Sequence, residues 1–333
     1  MKLPSYINLI IYNIIIVSTI IAISSTSLLI IWLSIELNIF SFLPILINNI
    51  TTNETEGSIN YFLAQALGST IILARRTILF SSPWFKTIII STLVIALLLK
   101  IGAAPCHYWY PVTIEIIRWI NCLLLSSWQK IAPVFILLYA ILPKIKSTLI
   151  IIIISINALT GGIIGLRQSS IKKIIAYSSI THIRWILRRS IINTPYLSVI
   201  YFSLYFLIIL PLFLLFNKTI KNKINDLWSK QIHSIPWIIT ISTILLSLGG
   251  LPPLTGFIPK LLIINILLNY SIIATIALIF GSLLNLFFYL NISLSILIKN
   301  QENFNIAYKS ITIPNLINIL LTTNLFIIII ITI

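Results

Sequence analysis

Residues 91–133 read STLVIALLLKIGAAPCHYWYPVTIEIIRWINCLLLSSWQKIAP. Two apolar runs, each long enough to enter a bilayer, flank a short connection rich in aromatic residues and proline. Each run carries one lysine deep inside it, Lys100 in the first and Lys130 in the second. A charged side chain at mid-membrane costs about 2.5–3.5 kcal/mol on insertion scales, so such lysines are a functional-site expectation by default. The rest of the chain reads as helices that shelter these two residues and give them partners.

Working outward, the apolar character never lapses. The chain is 59% hydrophobic and only 8% charged, with a mean hydropathy of +1.08, whereas a soluble domain carries about 25% charged residues. Apolar runs of roughly 20 residues recur from end to end, and no polar stretch is long enough for a soluble domain. We therefore expect an all-α polytopic membrane protein, one domain over residues 1–333. Its eleven spans fall at about 6–24, 28–47, 58–80, 86–104, 119–141, 147–165, 171–190, 196–216, 236–258, 270–296 and 311–333. Surface helices are expected at 105–118, where His107, Tyr108, Trp109 and Tyr110 suit a membrane interface, and within 217–235.

The formal charge of +16 does not mark a nucleic-acid binder, because the basic residues are scattered over loops and spans and form no stripe with stacking aromatics. Two cysteines, Cys106 and Cys122, are too few to ligate an iron–sulfur cluster and lack metal-ligand spacing; buried free thiols are expected. The N-terminal MKLPSYINL is neither a transit peptide nor a cleavable signal. Isoleucine fills roughly a quarter of the chain while methionine occurs once, at the start. Packing does not exclude methionine so thoroughly, which points to a mitochondrial methionine codon read as isoleucine.

Within the spans, Glu36 is the acidic residue placed deep in an apolar run, LLIIWLSIELNIFSFLPILI. A buried carboxylate needs a cationic or hydrogen-bonding partner or stays protonated, and the mid-span lysines are the available cations. Thr55 reads as the N-cap of the third span, with Glu56 favourable to its dipole. Gly161, Gly162 and Gly165 lie inside an apolar helix without a following Lys-Ser/Thr, so they read as close-packing positions and not a phosphate loop. His182 sits in a polar patch with Ser178, Ser179 and Thr181, as a proton relay or a hydrogen-bonded structural histidine. LSLGGLPPLTGFIPK (246–260) has too many glycines and prolines for a regular helix and ends on Lys260. Broken membrane helices survive only beside protein or a watered cavity, and transporters use them as ion sites.

Five motifs occur together and in order: SIELN (34–38), LLLKIGAAPCHYWYP (97–111), SSWQKIAP (126–133), AYSSITHIRW (176–185) and LSLGGLPPLTGFIPK (246–260). From about residue 20 to 290 the sequence resembles the subunit 2 family of mitochondrial NADH:ubiquinone oxidoreductase, respiratory complex I, in its shortened eleven-helix animal form. The resemblance implies an antiporter-like bundle with broken helices that translocates protons. It implies that Glu36 pairs with Lys100, that Lys130 lies on a central hydrophilic axis with His182 near it, and that Lys260 occupies the exit half. It further implies no cofactor on this chain, with NADH, FMN, iron–sulfur clusters and ubiquinone belonging to other subunits. Its partners would be the other membrane subunits and inner-membrane lipid, with no small-molecule substrate but protons. A stand-alone cation/proton antiporter and a purely structural membrane subunit are the alternatives. Buried charges disfavour scaffolding, and the organellar codon signature disfavours the antiporter.

The arginines depart from the family pattern. Arg75 and Arg76 fall inside the third span, and Arg184, Arg188 and Arg189 inside the seventh. Codons read as serine in invertebrate mitochondria appear as arginine under another table, so serine is the expected natural residue at these five positions. Positive charge also predicts orientation. Arg167, Lys172, Lys173, Lys218, Lys221, Lys223, Lys230, Lys299 and Lys309 share one side with Lys2, against mainly Lys86, Lys144 and Lys146 on the other. This expectation puts the N-terminus in the matrix of a mitochondrial inner membrane.

Overall fold

The computed structural model describes residues 5–47, 52–78, 86–141, 147–188, 195–219, 235–267 and 272–301. Among these, every regular element is helical: α1 (Ser5–Ser24), α2 (Leu28–Leu46), α3 (Thr52–Ile78), α4 (Lys86–Ile101), α5 (Trp109–Ile116), α6 (Trp119–Ser126), α7 (Trp128–Ile136), α8 (Ser147–Leu166), α9 (Ile171–Arg188), α10 (Pro195–Thr219), α11 (Ile235–Gly249), α12 (Phe257–Leu267) and α13 (Ile272–Gln301). A π-helical turn, Leu137–Ile141, continues α7. Six stretches of helix are long and apolar enough to cross a membrane, namely Tyr6–Ser24, Leu28–Leu46, Thr52–Ala74, Trp119–Tyr139, Tyr196–Asn217 and Thr275–Ile296. Ile90–Ile101, Ile150–Leu166 and Ile239–Gly249 are shorter apolar helices. The expected span at 311–333 and most of the 217–235 connection lie outside the described residues.

Serine hydroxyls inside these helices are satisfied locally, as lipid favours. Ser34 donates to the Ile31 carbonyl at 2.8 Å, Ser41 to Asn38 at 2.9 Å, Ser178 to Ile175 at 2.8 Å and Ser179 to Ala176 at 2.7 Å. Such back-bonding to the preceding turn lets a hydroxyl enter an apolar span without an interhelical partner.

The chain divides into two compact units. Unit 1 holds Met1–Ile153 with Ser190–Pro195, and unit 2 holds Ile154–Arg189 and Tyr196–Ile333. In unit 1, α2 and α4 flank α3, α1 packs on α2 and α7, and α7 packs on α4. In unit 2, α13 packs against α9, α11 and α12. The glycines of α8 serve close packing in unit 2, as expected. A Cβ on Gly161 would collide with Thr181, and one on Gly162 would meet Leu284 at 2.7 Å.

Three local expectations are corrected. The third span begins at Thr52, so Thr55 is not its N-cap; its hydroxyl donates back to the Thr52 carbonyl at 2.7 Å, inside the helix. The first-turn carboxylate is Glu54, which pairs with Arg118 Nε at 2.6 Å. The run 119–141 holds the expected span, Trp119–Tyr139, but not as one regular helix, because Ser127 (φ −116°, ψ −75°) separates α6 from α7. The aromatic connection does form a helix, α5, but Tyr110, Pro111, Thr113 and Ile114 are buried, so it lies against the bundle and not only at its surface. His107 is buried as well, with Nδ1 3.3 Å from the Pro105 carbonyl. Burial holds its imidazole below the usual range, and that carbonyl partly offsets the effect. Of the two free thiols, Cys122 is buried and Cys106 only partly so.

Candidate functional site

Lys100 sits in the last turn of α4, and the sequence after it explains why the helix stops there. Gly102 adopts φ +73°. The Ala103 amide then bonds the Leu98 carbonyl at 2.9 Å and the Gly102 amide bonds Leu99 at 3.1 Å, the double closure of a Schellman turn. Side chains add to this closure: Trp109 Nε1 donates a second bond to the Leu99 carbonyl at 2.9 Å, and Gln65 Nε2 meets that of Lys100 at 3.1 Å. The Lys100 side chain lies across Gly68 of α3, where a Cβ would meet its Cγ at 2.8 Å. Lys100 is 3% exposed, and its Nζ has no hydrogen-bond partner. Glu36 is half-buried on α2 and forms no direct ion pair with Lys100.

Lys130 lies in the first turn of α7, immediately after the break at Ser127, and is 2% exposed. Its Nζ stands 3.9 Å from the centroid of the Tyr110 ring, a cation–π seat in a desolvated setting. Gly102 makes that seat possible, because a Cβ there would press on Tyr110 Cβ at 2.7 Å. One glycine therefore both ends the Lys100 helix and admits the aromatic ring that faces Lys130.

Unit 2 repeats the first device. α11 ends at Gly249, Gly250 adopts φ +83°, and Leu251 and Gly250 bond the Leu246 and Ser247 carbonyls at 3.3 and 3.0 Å. The expected break over 246–260 is thus present, with α12 starting at Phe257. Lys260, 6% exposed, returns from α12 to donate to the Leu248 carbonyl at 3.2 Å and to Gly249 at 2.7 Å. Its ammonium caps the negative end of α11. His182 of α9 accepts from or donates to Tyr201 at 2.7 Å through Nδ1, with the Tyr205 ring centroid 4.8 Å from its own. These three residues line a cavity of about 10 Å³ with Ser247, Leu248, Gly256 and Pro259, room for about one water. Leu248 thus borders both the histidine cavity and the lysine seat.

The geometry makes a sharp prediction at the break. Gly250→Ala would place a methyl 2.6 Å from Lys260 Nζ in a backbone region L side chains avoid, whereas a Cβ on Gly249 makes ordinary contact with Leu286 at 3.5 Å. The left-handed conformation alone costs about 1–2 kcal/mol. Gly250→Ala should therefore lower the thermal stability of the protein, and Gly249→Ala should not. Equal behaviour of the two variants would refute this account of the break.

Arg184 stands apart. It is fully buried, and Nε, Nη1 and Nη2 all lack hydrogen-bond partners. Its guanidinium fills the space beside Gly281, and its Cζ lies 5.8 Å from the Trp185 ring.

Sequence reasoning named all five charged or titratable residues, and the structure places Glu36, Lys100 and Lys130 in unit 1 and His182 and Lys260 in unit 2. It missed Gln65, Gly68, Tyr110 and Tyr201, whose roles depend on contacts that apolar periodicity does not encode.

Broken helices ending on glycine, with lysines buried at each break, define a transporter-like membrane bundle. Residues 76–285 match the family described as NADH:quinone oxidoreductase/Mrp antiporter, transmembrane. Fold comparison agrees. A chain of respiratory complex I from Thermus thermophilus with bound aureothin superposes with a TM-score of 0.79 at 18% identity, covering 89% of this chain and 72% of that one. A chain of the Mrp complex from Dietzia sp. gives 0.72 at 16%, covering 85% and 59%. Sequence relatives are more specific: NADH-ubiquinone oxidoreductase chain 2 of Lumbricus terrestris is 42% identical over 84% of each chain, and that of Mus musculus 37% over 92% of each. The chain belongs to the NADH-ubiquinone oxidoreductase chain 2 family, as an antiporter-like membrane subunit of that oxidoreductase.

Proposed function

We propose that this chain translocates protons across the mitochondrial inner membrane, coupled to electron transfer from NADH to ubiquinone elsewhere in the oxidoreductase. Glu36, Lys100 and Lys130 would handle protons in unit 1 and His182 and Lys260 in unit 2, the whole chain acting as one antiporter-like domain. NADH, FMN, iron–sulfur clusters and ubiquinone are assigned to other subunits, and the partners of this chain are neighbouring membrane subunits and lipid. The observation that carries the reading is the burial of three lysines to 3%, 2% and 6% exposure at or beside helix breaks. A scaffold has no use for such charges, which are costly wherever they are not functional.

An ammonium in a dry interior gives up its proton more readily, and a nearby carboxylate reverses that tendency. Glu36 stands within electrostatic reach of Lys100 but not in contact. It can therefore act as a movable counter-charge: approach holds the proton on Lys100, withdrawal releases it toward Lys130. Gln65 and Gly68 fix the backbone and stem of Lys100 while leaving its Nζ free to exchange.

The test is a double-mutant cycle in the assembled complex. Glu36→Ala and Lys100→Ala should each depress proton translocation, and the double change should cost less than the sum, because each single change strands a buried charge. Strictly additive losses would break the pairing.

Orientation follows from charge: the N-terminus faces the matrix together with the lysine-rich connection at 217–235. Protease added outside intact inner membranes should leave that connection whole, and cleavage there would reverse the topology.

A further inference from the structure

The motifs that carry Glu36 and Lys130 contain two neutral residues that the proton-handling reading does not use, Asn38 in SIELN and Gln129 in SSWQKIAP. They meet across 91 residues of sequence: Gln129 Nε2 donates to Asn38 Oδ1 at 2.9 Å. The other end of the same amide is also engaged, as Tyr61 Oη donates to Gln129 Oε1 at 3.3 Å. One side chain of α7 thus binds α2 and α3 at once. Asn38 is 6% and Tyr61 1% exposed.

The location of this bridge gives it a job. α7 starts after the distortion at Ser127, where the backbone departs from regular helix (φ −116°, ψ −75°), so lateral bonds in its first turn add to its link with α6 in setting its rotation. Gln129 is in that turn, next to Lys130. On α2, Asn38 is turned about 200° from Glu36, because successive helical residues advance by about 100°. Asn38 belongs to the buried arc with Ser34, Ile35, Phe42 and Ile45, while Glu36 is only half buried. Its bond therefore sets the rotation of α2 without touching the carboxylate. On α3, Tyr61, Gln65 and Gly68 fall at i, i+4 and i+7, one stripe of the helix. The first meets Gln129, the second caps the Lys100 carbonyl, and the third receives the Lys100 stem. The ring of Tyr61 is further wedged edge-on to Phe42 at 5.4 Å and to Trp109 at 6.0 Å.

We propose that Gln129 is a positioning residue of the proton path: bonded to Asn38 and Tyr61, it locks the helices of Glu36, Lys100 and Lys130 in mutual register. The inference rests on the proton-handling reading of those three residues. A small misplacement of reacting groups is enough to slow transfer severely, so the clamp acts on efficiency and not only on assembly.

The test uses sealed inner-membrane vesicles containing the assembled complex and reads protons translocated per NADH oxidised. Asn38→Gln and Gln129→Asn respectively lengthen and shorten the bridge by one methylene. Each alone should lower the ratio at least about threefold at a normal amount of assembled complex, and the two together should restore it, since the summed reach is unchanged. Tyr61→Phe, which keeps the ring and removes one hydroxyl, should lower the ratio too, and it decides the matter if the amide variants fail to assemble. Normal ratios in the single variants, or a swap no better than its parents, would overturn the inference. So would a loss confined to the amount of complex, which is what simple interhelical adhesion predicts. Lys130→Ala in the same vesicles separates the two levels: full pumping there defeats the proton reading itself, while its loss beside a normal ratio in Gln129→Asn defeats only the clamp.

Discussion

An assembled complex carrying Lys130→Ala is expected to lose proton translocation by a factor on the order of 10², the usual contribution of a positioned acid–base group. Lys130 is 2% exposed, and its ammonium rests on the face of Tyr110 at 3.9 Å. A ring face attracts the charge but cannot take the proton, so this seat holds a cation in place without closing its route of exchange. Lys130→Arg should fail as well, for the opposite reason: a guanidinium stays charged at any accessible pH and traps the site in one state. The controls lie in the ring, where Tyr110→Phe should keep most of the activity and Tyr110→Leu should not. The measurement is the proton-to-NADH ratio at equal amounts of complex. Full pumping by Lys130→Ala would reduce the residue to a structural charge and return the scaffold reading to favour.

The bundle was legible because a bilayer imposes a crude rule. Apolar runs of roughly 20 residues must be helices, so hydropathy located α1, α2, α4, α8, α10 and α13 within a few residues, whereas α3 starts at Thr52, ahead of the expected 58, and α11 ends at Gly249, short of the expected 258. The break in 246–260 was equally legible, since three glycines and three prolines cannot propagate a helix. The break at Ser127 was not. WINCLLLSSWQK holds neither glycine nor proline, and hydropathy is blind to a single residue whose backbone departs from regular helix. Partners were illegible for a related reason. Helices that are apolar on most faces carry no phase information, so nothing in the pattern says that Tyr110 will face Lys130. Nor does it say that Glu54 will reach Arg118, 64 residues away. α9 shows the rule strained: it is helical as expected, but Lys172, Lys173, Arg184 and Arg188 keep it from being apolar enough to qualify as a span.

That strain leads to the second large effect. Peptides from the natural protein are expected to carry serine at position 184. An arginine there would be fully buried with three nitrogens lacking hydrogen-bond partners. No carboxylate is available to compensate it in unit 2 among the described residues: Glu36, Glu54, Glu56 and Glu115 lie in unit 1, and Asp226 and Glu302 lie outside the described residues. The nearby Trp185 ring, 5.8 Å from Cζ, is at the limit of cation–π reach and cannot replace a counter-ion. A buried charge without compensation costs several kcal/mol, more than most single interactions contribute. A serine has none of these difficulties, because its hydroxyl can bond the preceding turn as Ser178 and Ser179 do in the same helix. Arg75, Arg76, Arg188 and Arg189 follow the same decoding argument, with methionine at many isoleucine positions. Mass spectrometry of peptides covering residues 171–190 decides it. A peptide reading through position 184 with serine mass, uncut by trypsin there, is the expected result. Cleavage after residue 184 would establish a real arginine, and with it a buried cation for which unit 2 must supply an anion.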